Sequence, residues 1–577
     1  MRLLLAVFSY ILVLQATFAD ALPLNSLIKT KSGLIQGFVD KITNVVNFLG
    51  IPYAEPPIGA LRFQTAVPVK PWSNVFNATT FGHASVQLPL PPLKEAIFHQ
   101  GVLLDQSEDS LNLNIWTPNA NSKKHAVMLY IHGGMGLTGA GSFPWHNGQN
   151  AVSQGDVVYV TINYRLNAFG WIHLSTVAPN DFPNTTNLAI SDQLTALKWV
   201  YDNIAQFGGD PNKITLIGHS AGAMSVATLL SLPDARPYIR RVILESVPWT
   251  MQTPSGYSKD IASAFLGALN LTAETAKAVY NLDVQTILST TESVMSSNTN
   301  FIDGLTPYAL TIDGKQFSEA SLQALANNPP HGIDIMHGIN YDEFHFWTQT
   351  RPGFADTTEE QALAYFAQVF EQPQDAYNIF KNALPAGTPP YEIVNRMGTD
   401  VLFRAGTWQL VEQLAADGIN AYTYQFNYRS NAFNNTLGAC HEIISPFTRD
   451  NVAIYEQLGS TLPGFGALPT RADKEKLARN MVATWTSFAK TGNPNNKHIP
   501  KWAPYDSDNH NVMMFAYNSS GYDIGYDVMQ SDPDAVLRNE WRRQLSYWLL
   551  SNLENLYDYE YTDFVTTAIS DEDCYSC

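Results

Sequence analysis

Ala126-Val-Met-Leu-Tyr-Ile131 is a short apolar run that ends in glycines. A continuous run of this length, with no alternation, predicts a strand buried on both faces. Val157 to Tyr164, rich in Val, Tyr, Thr and Ile, predicts another. From Gln193 to Phe207, the residues Leu197, Val200, Ile204 and Phe207 recur at spacings of three and four, one face of a helix. Lys213 to Ile217 predicts the next strand and Ala221 to Leu230 the next helix, with further strands at Arg241 to Leu244 and Ile333 to Ile339. Ala421 to Tyr428 alternates aromatic residues as a strand does, and Ala472 to Thr491 and Asp534 to Tyr557 have helical patterns. Asp210-Pro211, the stretch from Pro463 to Pro469, and Asn493-Pro-Asn-Asn496 read as turns. No internal repeat or low-complexity linker interrupts the chain. This pattern predicts an α/β fold with a large, mostly parallel central sheet flanked by helices in a single domain.

The ends of the chain read differently. Met1-Arg2 precedes an almost wholly apolar stretch, Leu3 to Leu14, followed by small residues around Thr17-Phe-Ala-Asp-Ala21. Residues 1–21 therefore read as a signal peptide, 22–557 as the folded domain and 558–577 as an acidic tail. Later segments lack the roughly 18 consecutive apolar residues of a spanning helix. The expectation is a secreted, extracellular protein with no stable membrane anchor and an oligomeric state that the sequence leaves open. In that setting the sequons at Asn77, Asn184, Asn270, Asn434 and Asn518 become candidate glycan sites on surface loops.

With 577 residues, 45% of them hydrophobic, the chain can bury a large core, and 15% charged residues is too few for a disordered or coiled-coil protein. A net charge of −18 argues against nucleic acid and anionic membranes as partners. Only three cysteines occur, Cys440, Cys574 and Cys577, so the fold must stand on its core. Cys574 and Cys577 can pair with each other or with another chain, leaving Cys440 over.

Candidate chemistry concentrates at Gly218-His-Ser-Ala-Gly222, between a predicted strand and a predicted helix. This is the pattern of a nucleophile elbow. The turn strains the serine and leaves room only for small residues on either side, so Ser220 Oγ stands clear of the sheet. His132-Gly-Gly-Met-Gly136 follows the Ala126–Ile131 strand. Its backbone N–H groups, from Gly133, Gly134 and Met135, can form an oxyanion site with the N–H of Ala221. A base and an orienting acid must lie downstream in the order Ser, Asp/Glu, His. His331, His337, His345, His441, His498 and His510 all qualify by pattern. No metal or cofactor is called for.

Several longer blocks carry a resemblance. They include Phe48-Leu-Gly-Ile-Pro-Tyr-Ala-Glu-Pro-Pro57 with Leu61-Arg-Phe63, Ser107-Glu-Asp-Ser-Leu-Asn-Leu-Asn114 with Trp116-Thr-Pro118, and Asn163-Tyr-Arg165. Asp192-Gln193, Phe207-Gly-Gly-Asp-Pro211, and the set Trp485, Phe488-Ala489, Gly492, Pro494-Asn495 and Trp502 complete them. From about residue 27 to about residue 550 the chain resembles the type-B carboxylesterase/cholinesterase family, which implies the α/β-hydrolase fold in a single catalytic domain. The resemblance selects Glu343, in Gly338-Ile-Asn-Tyr-Asp-Glu343, as the orienting acid, and His441, in Leu437-Gly-Ala-Cys-His441, as the base. It also implies a supporting serine at Ser246 and structural ion pairs Arg62–Glu108 and Arg165–Asp192.

Departures bear on what reaches the serine. The family usually has cysteine at the Ser110 position, and its disulfide partner falls at Ser85. The segment between them is therefore expected to be looser. Met135 stands where a third glycine is usual, and Phe344 where a glycine follows the acid. The wording after His441 is unusual too. The expected substrate is a small neutral or hydrophobic ester, cleaved through an acyl-enzyme. Cholinesterases have glutamate where this chain has His219, and a tryptophan in the segment that here lacks one; juvenile-hormone esterases have glutamine at the His219 position. The alternatives are a non-catalytic or weakly active adhesion or storage homologue, and a lipase-like member.

Overall fold

The computed structural model describes residues 26–89, 102–118, 124–298, 306–349, 351–430, 436–454, 471–516, 528–531 and Leu537. The expected signal peptide, the acidic tail, Cys574, Cys577, Asn434, Asn518, the stretch Pro463–Pro469 and all of the helix expected at Asp534–Tyr557 except Leu537 lie outside them.

Eleven strands of the described chain form one sheet. They are β1 (Phe38–Val39), β2 (Val46–Pro52), β3 (Asn112–Thr117), β4 (His125–Ile131), β5 (Val158–Ile162), β6 (Gly209–His219), β7 (Arg241–Glu245), β8 (Asp334–Asn340), β9 (Ala421–Phe426), β10 (Asn511–Phe515) and β11 (Val528–Ser531). Their order is β1-β2-β3-β5-β4-β6-β7-β8-β9-β10-β11. From β5 through β10 every neighbouring pair is parallel, and the pairs at both edges are antiparallel. All residues of β4, β5 and β7 are buried, as continuous apolar runs require when helices cover both faces.

The flanking helices that matter for the site are α1 (Leu188–Asn203), α2 (Ala221–Ser231), α3 (Glu359–Ala367), α4 (Pro373–Ala383), α5 (Pro390–Thr399), α6 (Ala405–Ala416) and α7 (Arg471–Thr491). Helix α2 packs on β6, β7 and α1, while α7 packs on β4 and β6 beside the helix Gln149–Gly155. Helices α3 to α5 pack on one another in the insertion between β8 and β9, while α6 packs on β9 and on the helix Ser321–Asn327. No helix of the described residues is long and apolar enough to cross a membrane.

Two sequence expectations change here. Helix α1 begins five residues earlier than its apolar face indicated and closes in a 3-10 turn at Ile204–Phe207. Asp210-Pro211 is no free turn: both residues sit inside β6, where the ladder with β4 shifts register between Gly209 and Ile214. That irregularity accommodates a proline in an interior strand.

The segment without the disulfide is also held at its ends. Ala84–Ser85 pairs in parallel with Gln106–Ser107, and Ser85 Oγ and Ser110 Oγ are hydrogen-bonded at 2.8 Å, both buried. Ser85 Oγ also donates to the Tyr164 carbonyl at 2.6 Å. The two serines thus keep by hydrogen bonds the closure that a disulfide would give, which corrects the expectation of a loose segment at both of its ends. Residues 90–101 between them lie outside the described chain.

Candidate active site

Parallel strands bring their C-terminal ends to one edge of the sheet, where open α/β sheets bind ligands. Ser220 follows β6, Glu343 follows β8, Ser246 follows β7, and Gly133 and Gly134 follow β4. Histidine 441 arrives on the loop after β9.

Ser220 has φ 55° and ψ −128°, an unfavourable backbone state for any residue but glycine, worth about 1–3 kcal/mol of strain. Its surroundings enforce that state. A Cβ added to Gly218 would collide with the Gly222 carbonyl, and one on Gly222 with the Ile131 carbonyl. The backbone is tied by Ser220 N–H donating to the Glu245 carbonyl at 2.9 Å, across to β7. Helix α2 starts at the next residue, so its N-terminal N–H groups face the serine.

Across from it, His441 Nδ1–H donates to Glu343 Oε2 at 2.6 Å, with both side chains fully buried. Glu343 Oε1 accepts from the Asn340 N–H at 2.6 Å, and the His441 N–H donates to the Glu343 carbonyl at 3.3 Å. This fixes the imidazole tautomer, with Nε2 as the free basic nitrogen. Nε2 is buried and has no hydrogen-bond partner, so a serine–histidine hydrogen bond is not formed in this state. Such bonds are often long without substrate and tighten when it binds. Burial depresses the His441 pKa below its ordinary value, with the Glu343 carboxylate opposing and the nearby His219 adding to the depression. The rings of Phe403, Trp347 and Phe346 stand 4.9, 5.1 and 6.3 Å from the imidazole, centroid to centroid. They form the apolar wall that desolvates it.

The glycine-rich turn lies against the elbow. A Cβ on Gly133 would sit 2.9 Å from Ser220 Cβ and 2.8 Å from the His219 carbonyl, so only glycine fits. Gly134 has φ 102° and Met135 φ 58°. Among the described residues, the N–H groups of Gly133, Gly134, Met135 and Ala221 donate to no acceptor, which leaves all four for a ligand. Met135 keeps its N–H at the cost of a left-handed backbone. Its half-buried side chain packs on Ala221, Met251 and Ala309, a small apolar cluster separate from the main core.

The remaining calls divide. Ser246 is buried at φ 58°, its N–H donating to the Gly338 carbonyl at 2.8 Å, while its hydroxyl has no partner. Phe344 is buried against Gly398 and Trp347. The ion pairs Arg62–Glu108 and Arg165–Asp192 are both present at 2.6 Å, tying the 108–110 turn and α1 to the elements beside them. Of the other histidines, His337 is buried on β8 with its pKa pushed down to about 3 by burial, and His345 pairs with Glu392 at 2.7 Å. Buried Cys440 has its thiol pKa pushed well up by burial, an inert core thiol. Asn77, Asn184 and Asn270 are exposed.

Sequence reasoning missed three groups. Met251 and Ala309 reach Ala221, the residue after the serine, from outside any motif. The aromatic wall of Phe346, Trp347 and Phe403 comes partly from the helical insertion. Most distinctive is Glu442, buried at φ 72° and ion-paired to His219 at 2.8 Å. The only signal for it was the unusual wording on both sides of the motifs.

A strained serine after a central parallel strand, beside a buried imidazole–carboxylate pair and a glycine turn, defines an α/β-hydrolase. Residues 25–532 match the carboxylesterase family model, so the chain belongs to the carboxylesterase family. It is 29% identical to the para-nitrobenzyl esterase of Bacillus subtilis over 85% of this chain and 94% of that one. It is 30% identical to rat (Rattus norvegicus) carboxylesterase 1C over 82% of this chain and 85% of that one, and 30% identical to mouse (Mus musculus) cholinesterase over 81% and 79%. Among solved structures, the Geobacillus stearothermophilus carboxylesterase at pH 6.2 superposes with a TM-score of 0.77 at 30% identity, covering 89% of this chain and all of that one. The protein is accordingly a carboxylic-ester hydrolase.

Proposed function

We propose that Ser220, His441 and Glu343 form the catalytic triad of a secreted esterase acting on small neutral or hydrophobic esters. Ser220 Oγ attacks the ester carbonyl as His441 Nε2 takes its proton, and Glu343 holds the tautomer and stabilises the imidazolium. The tetrahedral oxyanion is received by N–H groups of Gly133, Gly134, Met135 and Ala221, each such donor worth about 3 kcal/mol of barrier. The alcohol leaves with the proton from His441. Water, deprotonated by the same nitrogen, then hydrolyses the acyl-enzyme.

The observation that carries this reading is the strained Ser220 backbone, φ 55° and ψ −128°, set beside a fully buried His441–Glu343 bond of 2.6 Å. Strain of this kind persists where a function needs it. The apolar surroundings, Met135, Met251 and Ala309 about Ala221 and Trp347, Phe403 and Phe346 about His441, favour uncharged substrates. Export through the leader at residues 1–21 belongs to the same reading, as do glycans at Asn77, Asn184, Asn270, Asn434 and Asn518; the exposure of the first three supports it.

The test is turnover of a p-nitrophenyl ester series and of an acylated choline. Neutral esters should be cleaved with the higher kcat/KM. Ser220→Ala should lose about 10⁶-fold in kcat, as removal of a triad nucleophile does. A preference for the choline ester, or turnover that survives Ser220→Ala, would refute the reading.

A further inference from the structure

The residue before the serine and the residue after the histidine meet each other. His219 closes β6 and Glu442 directly follows His441. Both are buried, and His219 Nδ1 lies 2.8 Å from Glu442 Oε2. Glu442 reaches that position only by taking φ 72°, a left-handed state that a buried charged residue adopts only where its surroundings demand it. The His219 ring in turn lies against the His441 ring, centroids 4.6 Å apart and tilted by 40°. The base is therefore held between a carboxylate on Nδ1 and a second imidazole on its face.

From this geometry we propose that His219 and Glu442 form a positioning pair: a buried cation held against the face of His441, which opposes a second cation there and keeps the base neutral into acidic solution. The inference rests on the triad reading above and adds the pH range in which that triad works.

The charges around the pair agree with it. His219 faces Glu442, His441, Glu343 and, from β7, Glu245. Burial works against a charge on His219, yet these carboxylates, Glu442 foremost, hold its pKa above the ordinary value. Burial likewise works against charge on Glu442, but His219 and His146 bring its pKa well below the usual carboxylate range. His146, 3.9 Å from Glu442, is itself pushed toward neutrality by burial, so of the two histidines on Glu442 it is His219 that its surroundings favour as the cation. Arg449 completes the ring of charge, stacked 3.9 Å over Tyr130 and 3.9 Å from Glu245. Cys440, beside the base, stays a thiol.

The acid limb of kcat/KM reports the free enzyme's base. In the wild type that limb should fall below the ordinary imidazole value of about 6.5. His219→Gln removes the cation while filling its space, and the limb should rise by about one pH unit, the size of effect that one close buried charge produces. At pH 5 the variant would then lose about tenfold relative to wild type, with little change at pH 8. Glu442→Gln should also raise the limb, by less, because burial then neutralises His219. This second direction is informative, since deleting a carboxylate that acted alone would lower the limb. A limb that stays in place in an active His219→Gln enzyme, with kcat reduced evenly at all pH values, would overturn the proposal and leave a packing role. So would a lowered limb in Glu442→Gln or a wild-type limb at 7 or above, which needs no variant to measure. Activity that survives Ser220→Ala would instead overturn the triad reading itself, and this inference with it.

Discussion

Met135→Gly separates the backbone role of the oxyanion turn from the bulk that the side chain adds beside it. Met135 sits at φ 58°, where glycine is at ease and other residues lose about 1–2 kcal/mol. Glycine returns about 0.5–1 kcal/mol of that through its greater freedom when unfolded. The variant also gives up the packing of a half-buried thioether on Ala221, Met251 and Ala309. These effects oppose one another, so stability should change by no more than about 1 kcal/mol. Activity should change more, and selectively. Each methylene that the vacated space buries is worth about 0.8 kcal/mol. If a longer acyl chain realises two of them in the transition state, kcat/KM rises about tenfold. The assay is kcat/KM for p-nitrophenyl esters from acetate to octanoate, with thermal unfolding as the control. Acetate should stay within about threefold of wild type while the octanoate-to-acetate ratio climbs about tenfold. A ratio that does not move in a stably folded variant would refute the idea that Met135 limits the acyl site. An equal loss on every ester would mean that the methionine serves to fix the donor geometry instead.

Two further outcomes follow from individual contacts. Ser85→Cys with Ser110→Cys places two thiols where the hydroxyls stand 2.8 Å apart across a separation of 25 residues. Closing a loop of that length is worth about 3–4 kcal/mol by chain entropy, less about 2 kcal/mol for the two hydrogen bonds lost, the one between the serines and the one to the Tyr164 carbonyl. The urea midpoint should therefore rise under oxidising conditions and return with reductant; equal midpoints in both would contradict the geometry. Glu343→Gln keeps the shape of the acid but leaves Nδ1 of His441 without a carboxylate. It should lower kcat by about 10³–10⁴-fold with KM little changed, whereas a loss below tenfold would remove Glu343 from the triad.

What the sequence disclosed follows from which constraints are local. The strands His125–Ile131 and Arg241–Glu245 and the helix Ala221–Ser231 were legible because burial on two faces writes a continuous apolar run, and the elbow writes its glycines. The site was legible only in part. Ser220 carries a local steric signature, while His441 and Glu343 are joined by a contact across 98 residues that periodicity cannot express, so the resemblance had to choose them. Asp210-Pro211 misled because a β-bulge admits a proline that an ideal ladder rejects. At the two ends of the Ser85–Ser110 segment, loss of a covalent bond was read as loss of closure, where two buried hydroxyls supply a weaker version of it. Glu442 left only the unusual wording after His441, which gives no hint of its partner. Its backbone strain is set by a partner on β6, so it emerges only once the two loops are brought together.

The most direct test of the account is the site and stoichiometry of covalent labelling. Purified protein treated with a fluorophosphonate should lose esterase activity in proportion to one adduct per chain, with the modified peptide carrying the adduct on Ser220. His441→Ala should label far more slowly and Ser220→Ala not at all. An adduct on another residue, or full inactivation with Ser220 unmodified, would contradict the central claim that this strained serine is the nucleophile.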